Sequence, residues 1–288
     1  MKIRFIINPY AGSGKQRNID SLIKKYIKHP YEILYTKKSG EATILSQQAV
    51  KEGIDIVIAV GGDGTVNECA KALINNNTAL GVIPCGSGNG FAYHIGMNKH
   101  ISRSIKQLNT CQIRTIDSGT VNNTPFVNIS GIGFDAHIAS LFAKKAKRGL
   151  INYIKLILKE LKYKSKTYTL KYEGGSKKVK AYLIAFANAS QYGNNFKISP
   201  LASTQDGLID FVIMKEFPKW KIPLILYKII QGRINSSNHI DIIQARELTI
   251  HSKEELIHLD GEPHFYNSPI NIKIKEQSLN IFMPYEKK

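Results

Sequence analysis

Residues 54–68 read IDIVIAVGGDGTVNE. The run 54–60 is almost continuously apolar and β-branched, the composition of a strand covered on both faces. It stops at Gly61-Gly62, and residues 65–75 continue with a helical pattern. A buried strand that turns through glycines into a helix builds an anion seat: the glycines let backbone N–H groups approach phosphate oxygens, and the helix N-terminus favours negative charge. Asp63 then needs a role, because a carboxylate repels a polyphosphate unless it holds a metal, a ribose or the proton of an attacking hydroxyl. The plain alternative is a helix N-cap, with Glu68 as a first-turn charge.

Working outward, residues 2–7, 31–35 and 80–83 read as further short strands, and helical patterns run to about residue 28, over 40–52 and from 87 to 95. Strands alternating with helices predict an α/β domain with a mostly parallel sheet covered on both faces. After about residue 117 the texture becomes a series of β segments at 120–129, 167–172, 179–187, 208–214, 247–251 and 270–275, interrupted by helical patterns at 139–161 and 218–232. This predicts an antiparallel second domain. The expected division is 1–118 and 119–276, with residues 277–288 packing back on the first domain.

Two more glycine turns follow strands in the first domain. NPYAGSGK, residues 8–15, lacks the Ser or Thr after Lys15 and the glycine spacing that a P-loop needs, so a P-loop NTPase is rejected. PCGSGNG, residues 84–90, lacks the spacing of a dinucleotide fingerprint. Each alone could be an ordinary strand-to-helix turn. Three at successive crossovers along one sheet edge point to a nucleotide cleft.

Composition narrows the partners. The chain has 288 residues, 43% of them hydrophobic, enough for a sizeable core without disulfides. Lys and Arg number 40 against 22 Asp and Glu, a net charge of +18 that suits anionic partners: nucleic acid, phosphates or an anionic membrane. Cys69, Cys85 and Cys111 show neither a disulfide framework nor metal-ligand spacing. Nothing reads as a secretion signal, and the longest uncharged stretch, 72–98, is broken by Pro84 and glycines. A cytoplasmic protein, at most peripheral to the inner face of a membrane, is expected.

The combination of motifs resembles the diacylglycerol-kinase catalytic domain family, bacterial lipid kinases related to diacylglycerol, sphingosine and ceramide kinases. GGDGT alone also occurs in NAD kinases; the wider set discriminates. NPYAGSGK is similar to the family's Asn-Pro turn, and PCGSGNGFA (84–92) to its second glycine segment. NISGIGFDA (128–136) is similar to its second-domain opening, with SPLASTQDGLID (199–210) and LDGEP (259–263) following in family order. The resemblance implies an N-terminal α/β domain like those of NAD kinase and phosphofructokinase, a C-terminal β-sandwich, and ATP in the cleft between them. It places ATP at Asn8, at the turn Ala11, Gly12, Ser13 and Gly14, at Thr36, at Gly62, Asp63, Gly64, Thr65, Asn67 and Glu68, and at Ser87. The two glycine motifs add Gly61, Gly86 and Asn89. Ser87 and Gly90 depart from the diacylglycerol kinase pattern of Thr and Asp, bringing the segment nearer to the sphingosine and ceramide branch.

LDGEP concentrates Asp260 and Glu262 around a glycine. On strand alternation the two carboxylates point the same way, able to share a proton or a metal, and the plain alternative is an exposed Asp-Gly hairpin turn. The resemblance makes one of them the base that takes the proton from a lipid hydroxyl. It also assigns a structural Mg2+ to the loop at Asp206, through its carboxylate and the carbonyls of Ser203 and Leu208, hard oxygen ligands that suit the ion. Without the resemblance this is a turn-forming Asp-Gly.

Much of the positive charge lies in residues 144–171: Lys144, Lys145, Lys147, Arg148, Lys155, Lys159, Lys162, Lys164, Lys166 and Lys171 stand against Glu160 alone. An anionic membrane is the expected partner of this segment. Trp220, between Lys219 and Lys221 and ahead of the apolar run 222–230, is a second candidate for interfacial contact, or else a core helix. The expected activity is an Mg2+-dependent, direct transfer of the γ-phosphoryl of ATP to a lipid hydroxyl. A soluble-substrate kinase of the NAD kinase kind is the alternative enzyme. A nucleic-acid-binding protein is disfavoured, because no helix-turn-helix or aromatic-basic RNA motif is present. The acceptor lipid and any pairing with a second copy stay open at this level.

Overall fold

The computed structural model describes residues 1–12, 18–143 and 150–285. Ser13, Gly14 and Lys15 of the first glycine turn, and Lys144, Lys145, Lys147 and Arg148 of the basic segment, lie outside the described residues. The chain forms two units, one of residues 1–116 with 277–288 and one of residues 117–276.

In the first unit, β1 (Ile3–Ile7), α1 (Ile19–Tyr26), β2 (Tyr31–Tyr35), α2 (Glu41–Lys51), β3 (Ile56–Gly61), α3 (Asp63–Leu73) and β4 (Ala79–Pro84) alternate, followed by α4 (Gly90–His94) and α5 (Ile101–Gln107). The parallel pairs β2·β1, β1·β3 and β3·β4 make one sheet. Every residue of β1, β3 and β4 is buried, as continuous apolar runs between helix layers demand. The helices cover the sheet with one apolar stripe each: Ile19 and Ile23 of α1, Ala42 and Ala49 of α2, and Val66, Cys69 and Leu73 of α3.

The chain leaves this unit in β5 (Cys111–Val121). The second unit holds β6 (Thr124–Phe126), β7 (Ile129–Gly133), α6 (Phe134–Ala143), α7 (Leu150–Lys159), β8 (Lys166–Tyr172), β9 (Gly175–Ala187), β10 (Ile209–Lys215), α8 (Ile222–Ile230), β11 (Ile240–Ala245), β12 (Glu247–His251), β13 (Leu256–Leu259) and β14 (Glu262–Phe265). The last strand, β15 (Ile270–Pro284), begins here and returns to the first unit. Antiparallel pairing dominates, with neighbours β14-β13-β7-β9-β8-β12-β15 and a branch β9-β10-β11. The long β9 makes this possible: residues 175–181 pair with β8, while residues 183–187 lie between β7 and β10.

Alternation along β10 feeds two cores. Phe211 and Ile213 join Phe186, Tyr168, Leu248 and Ile257 in one, while Val212 and Met214 join Leu183, Ile225, Ile229 and Phe217 in the other, beneath α8.

Several boundaries differ from those the sequence predicts. The expected strand 120–129 covers the end of β5, all of β6 and the first residue of β7; the turn between β5 and β6 is Asn122 and Asn123, both with positive φ, a conformation asparagine tolerates. The expected strand 270–275 runs on to Pro284. Within the expected helical stretch 139–161, α6 starts earlier, at Phe134, and α7 ends at Lys159.

Candidate functional site

In the first unit the carboxyl ends of β1, β2, β3 and β4 face one edge, because the strands are parallel, and each feeds a turn there. The turns are tied to one another by their backbones. The Asn8 N–H donates to the Val60 carbonyl at 3.0 Å, the Thr36 N–H to Ile7 at 2.9 Å, and the Cys85 N–H to Gly61 at 2.8 Å. Side chains complete the frame. The Asn8 amide donates to Thr65 Oγ1 at 3.2 Å, and the Asn89 backbone N–H donates to Asp63 Oδ2 at 2.8 Å. Asn89 also closes its own turn, accepting from the Gly86 N–H and donating to the Gly86 carbonyl, both at 2.8 Å.

Glycine is required here for space. A Cβ on Gly86 would stand 2.4 Å from Gly62 Cα, and one on Gly12 would stand 2.2 Å from the Cys85 carbonyl oxygen. The three glycine turns therefore touch at backbone distance, so N–H groups and the N-terminus of α3 are gathered at one place. Asn8, Thr36, Gly61, Gly62, Asp63, Gly64, Thr65, Gly86, Ser87 and Asn89 all lie at this edge, with Gly64 and Ser87 exposed and Thr36 and Thr65 buried. Ala11 joins them through its N–H, which donates to the Asn8 carbonyl at 3.2 Å.

Three residues of this motif are held within the framework of the first unit. Gly62, not Asp63, is the N-cap of α3; Asp63 is the first helical residue, and its carboxylate braces the neighbouring turn instead. Glu68 turns away to the start of α2, accepting from the Ala42 N–H at 3.1 Å and from Ser39 Oγ at 3.3 Å. It satisfies a helix N-terminus that has no side-chain cap of its own. Asn67 is buried within α3.

In the second unit the LDGEP segment is a β13–β14 hairpin in which Leu259 pairs with Glu262 across a two-residue loop. Asp260 and Gly261 have φ of 49° and 89°, the mirror-image turn that matches strand twist. Strand periodicity does not run through a turn of this kind, so the alternation expected for residues 260–262 does not apply there. Asp260 is buried and its two oxygens accept from the backbone N–H groups of Val127 and Asn128, each at 2.9 Å, while its own N–H donates to Ser130 Oγ. Asp260 is thus an anchor for the turn. Glu262 is half-buried at the start of β14.

A second anchor carries no sequence signature. His258 is buried; its Nδ1 accepts from the Gly261 N–H at 3.1 Å, which puts the ring proton on Nε2, 3.0 Å from Asp135 Oδ2. The Tyr192 hydroxyl donates to the same oxygen at 3.1 Å, and the Ala136 N–H to Asp135 Oδ1 at 2.9 Å. Burial first, and then the charge of Asp135, push the Tyr168 hydroxyl well above its ordinary pKa, so it stays neutral. Asp135 lies within the quoted NISGIGFDA motif, but its partners are separated from it by 57 and 123 residues, beyond the reach of any local pattern.

The Asp206 loop is a turn with Gly207 at φ 72°; Asp206 Oδ1 accepts from the Leu208 N–H at 3.1 Å, and the Gly207 N–H donates to Asp117 Oδ2 at 2.9 Å. Desolvation, followed by the like charges of Asp210 and Asp117, raises the Asp206 carboxyl above its ordinary range, with the Leu208 N–H opposing. An oxygen-only donor set under like-charge strain fits a hard divalent cation. Among the described residues, no three His, Cys, Asp or Glu side chains converge as metal ligands, so side chains of these types do not by themselves make a metal centre.

Comparison with known proteins adds to this geometry. Residues 2–121 match the diacylglycerol kinase catalytic domain, and residues 128–283 match the YegS C-terminal NAD kinase beta sandwich-like domain. A relative from Chromohalobacter salexigens named "probable lipid kinase YegS-like" is 29% identical over 83% of this chain and 80% of its own length. The diacylglycerol kinase of Bacillus subtilis is 27% identical over 91% of this chain and 89% of its own. A crystal structure of a diacylglycerol kinase from Bacillus anthracis superposes with a TM-score of 0.73 at 22% identity, covering 98% of this chain and 96% of the other, a likeness of fold.

Proposed function

Because this chain belongs to the diacylglycerol kinase catalytic domain family, with a YegS-type C-terminal domain, we propose that it transfers the γ-phosphoryl group of ATP to a hydroxyl of a membrane lipid. The observation that carries the proposal is the meeting of three glycine turns at backbone distance at the carboxyl edge of one parallel sheet, braced by Asp63 and Asn89.

In this reading the turn at Gly61–Thr65 and the N-terminus of α3 hold the phosphates through backbone N–H groups. Asn8 and Thr36 border the seat, and Ser87 offers an exposed hydroxyl at its mouth. Phosphoryl transfer asks the protein for position and charge neutralisation more than for covalent chemistry. Glu262 takes the proton of the attacking hydroxyl, and Asp260 and His258 hold its turn in place. The sugar or metal side of the nucleotide falls to Asp63. Magnesium, when bound, supplies charge neutralisation. A structural ion would rest on Asp206 with the carbonyls of Ser203 and Leu208.

The test is to incubate the purified protein with labelled ATP, magnesium and a panel of vesicle-borne diacylglycerol, sphingoid base, ceramide and glycerophospholipid. The expected result is label in one lipid class. Label in a soluble dinucleotide, with none in any lipid, refutes the lipid reading.

A further inference from the structure

Helix α8 presents an apolar face to solvent. Trp220, in the single 3-10 turn that leads into the helix, is 76% exposed; Leu224 is 51%, Tyr227 57% and Ile230 47% exposed. The spacing 220, 224, 227 puts the first three on one side, while Ile225 and Ile229 point the other way into the core beneath. Single exposed apolar residues are ordinary on a protein surface, but four within eleven residues form a patch.

The segment that carries the patch is rich in cations and has no acid of its own. Lys219, Lys221, Lys228 and Arg233 lie in or beside the helix, and residues 217–240 contain no Asp or Glu. The two bounding acids are engaged elsewhere: Glu216 pairs with Lys180, and Asp241 with Lys177 and Lys215. Lys221 Nζ lies 3.0 Å from His239 Nε2, and Lys228 Nζ lies 2.9 Å from the Ser236 carbonyl. Lys221 also stands over the Trp220 ring, 5.4 Å from its centroid.

We infer that the α8 face is a docking surface for an anionic lipid bilayer. The helix lies flat on the surface: Leu224 and Ile230 enter the acyl boundary, Trp220 and Tyr227 sit at headgroup depth, and the four cations meet anionic headgroups. Charge complementarity selects the bilayer as the occupant. Amphipathic rings prefer the headgroup level, and long basic stems reach outward from an apolar face. Among the described residues no helix is long and apolar enough to cross a membrane, so this contact is made in the plane of the surface. The inference rests on the lipid-kinase reading for its purpose, and on the composition of this face for its physics.

Trp220 is the chain's sole tryptophan, so its fluorescence reports on this face alone. The full chain is titrated with phosphatidylcholine vesicles and with a two-to-one mixture of phosphatidylcholine and phosphatidylglycerol. The expected result is emission moving to shorter wavelength and quenched by brominated acyl chains, with binding to the anionic vesicles about tenfold or more tighter and weakened by salt. The double variant Leu224→Glu with Tyr227→Glu, altered only at exposed positions, keeps its thermal melt and loses about tenfold or more in vesicle binding.

Unchanged Trp220 emission while the protein still sediments with anionic vesicles assigns docking to another surface and overturns the inference. An emission shift that follows protein concentration without vesicles, together with a dimer mass by light scattering, assigns the face to a second copy and overturns it. So does a response to polyglutamate with none to vesicles. The two readings fail separately. Vesicle binding through Trp220 without phosphate entering any lipid sinks the kinase reading alone, whereas phosphorylation of a short-chain lipid in solution without vesicle binding sinks the docking surface alone.

Discussion

His258 Nε2 lies 3.0 Å from Asp135 Oδ2, a buried pair joined across 123 residues of sequence. The other nitrogen of the ring accepts from Gly261 at the tip of the β13–β14 hairpin, so one imidazole fixes the turn that carries Glu262 to the body of the second unit.

His258→Phe removes both bonds and leaves Asp135 with one fewer donor. A cost of about 1–3 kcal/mol in stability is expected, from the buried acceptor left short. Turnover should fall by up to about 10²-fold through displacement of the turn, with KM for ATP unchanged. His258→Gln, which can donate and accept, should recover part of the turnover. Thermal melts and steady-state kinetics distinguish this positioning role: equal losses in the Phe and Gln variants would refute it.

Asp260 and Glu262 should separate cleanly. Glu262→Gln is expected to lose about 10²–10⁴-fold in turnover with an unchanged melt and intact ATP binding, as removal of a general base requires. Asp260→Asn replaces one of the two acceptors that hold Val127 and Asn128, so it should lower stability by about 1–3 kcal/mol. Calorimetry and single-turnover kinetics on both variants check this, and the reverse pattern would exchange their roles.

How far these roles could be read in the sequence depends on the range of the interaction. Residues 54–68 disclosed a buried strand, a glycine turn and a helix because a continuous β-branched run ending in glycines is a local signal. The strands β13 and β14 escaped notice because LIHL and EPHF are short and carry histidine and proline. The polar start of β5 and the mixed run of β11 hid those strands likewise. Asp260 stands out by its motif, but the left-handed turn at residues 260–261 appears only with φ values. Glu68 belonged to the most legible motif of all, yet its partners at the start of α2 are 26 and 29 residues away. Tertiary pairing decides what a motif residue does, and pairing leaves no local pattern.

Gly86→Ala tests the backbone contact between two turns. Its Cβ would stand 2.4 Å from Gly62 Cα and 2.9 Å from Asn89 Oδ1, so the turns must part. Loss of ATP binding is expected, together with about 1–3 kcal/mol of destabilisation, typical of overpacking. Isothermal titration with ATP and a thermal melt measure the two effects; wild-type affinity would remove this contact from nucleotide binding.

The Asp206 carboxyl is raised in the folded chain, by burial first and like charges next. A raised carboxylate binds more protons folded than unfolded, so the apoprotein loses stability as pH climbs from the ordinary carboxyl pKa through the folded value, and the loss is complete above it. Magnesium should relieve this strain at neutral pH. At about a hundredfold excess over its dissociation constant, stabilisation of about 2.7 kcal/mol follows from linkage. Asp206→Asn should melt at or above the wild-type temperature without metal and show no rise with it. A metal-dependent rise that survives the substitution would place the ion elsewhere.

The strand β15 comes back to the first unit after the entire second unit has been traversed. Ile281 pairs in parallel with Leu80 of β4, Leu279 and Ile281 are fully buried, and the Ser278 carbonyl accepts from the Asn75 N–H at 2.7 Å. On the ribosome, β4 therefore waits with one hydrogen-bonding edge open until about two hundred further residues have been made. Vectorial synthesis leaves the sheet of the first unit one strand short until β15 emerges. A nascent chain stalled before residue 277 carries an unguarded β edge for chaperones or aggregation to find.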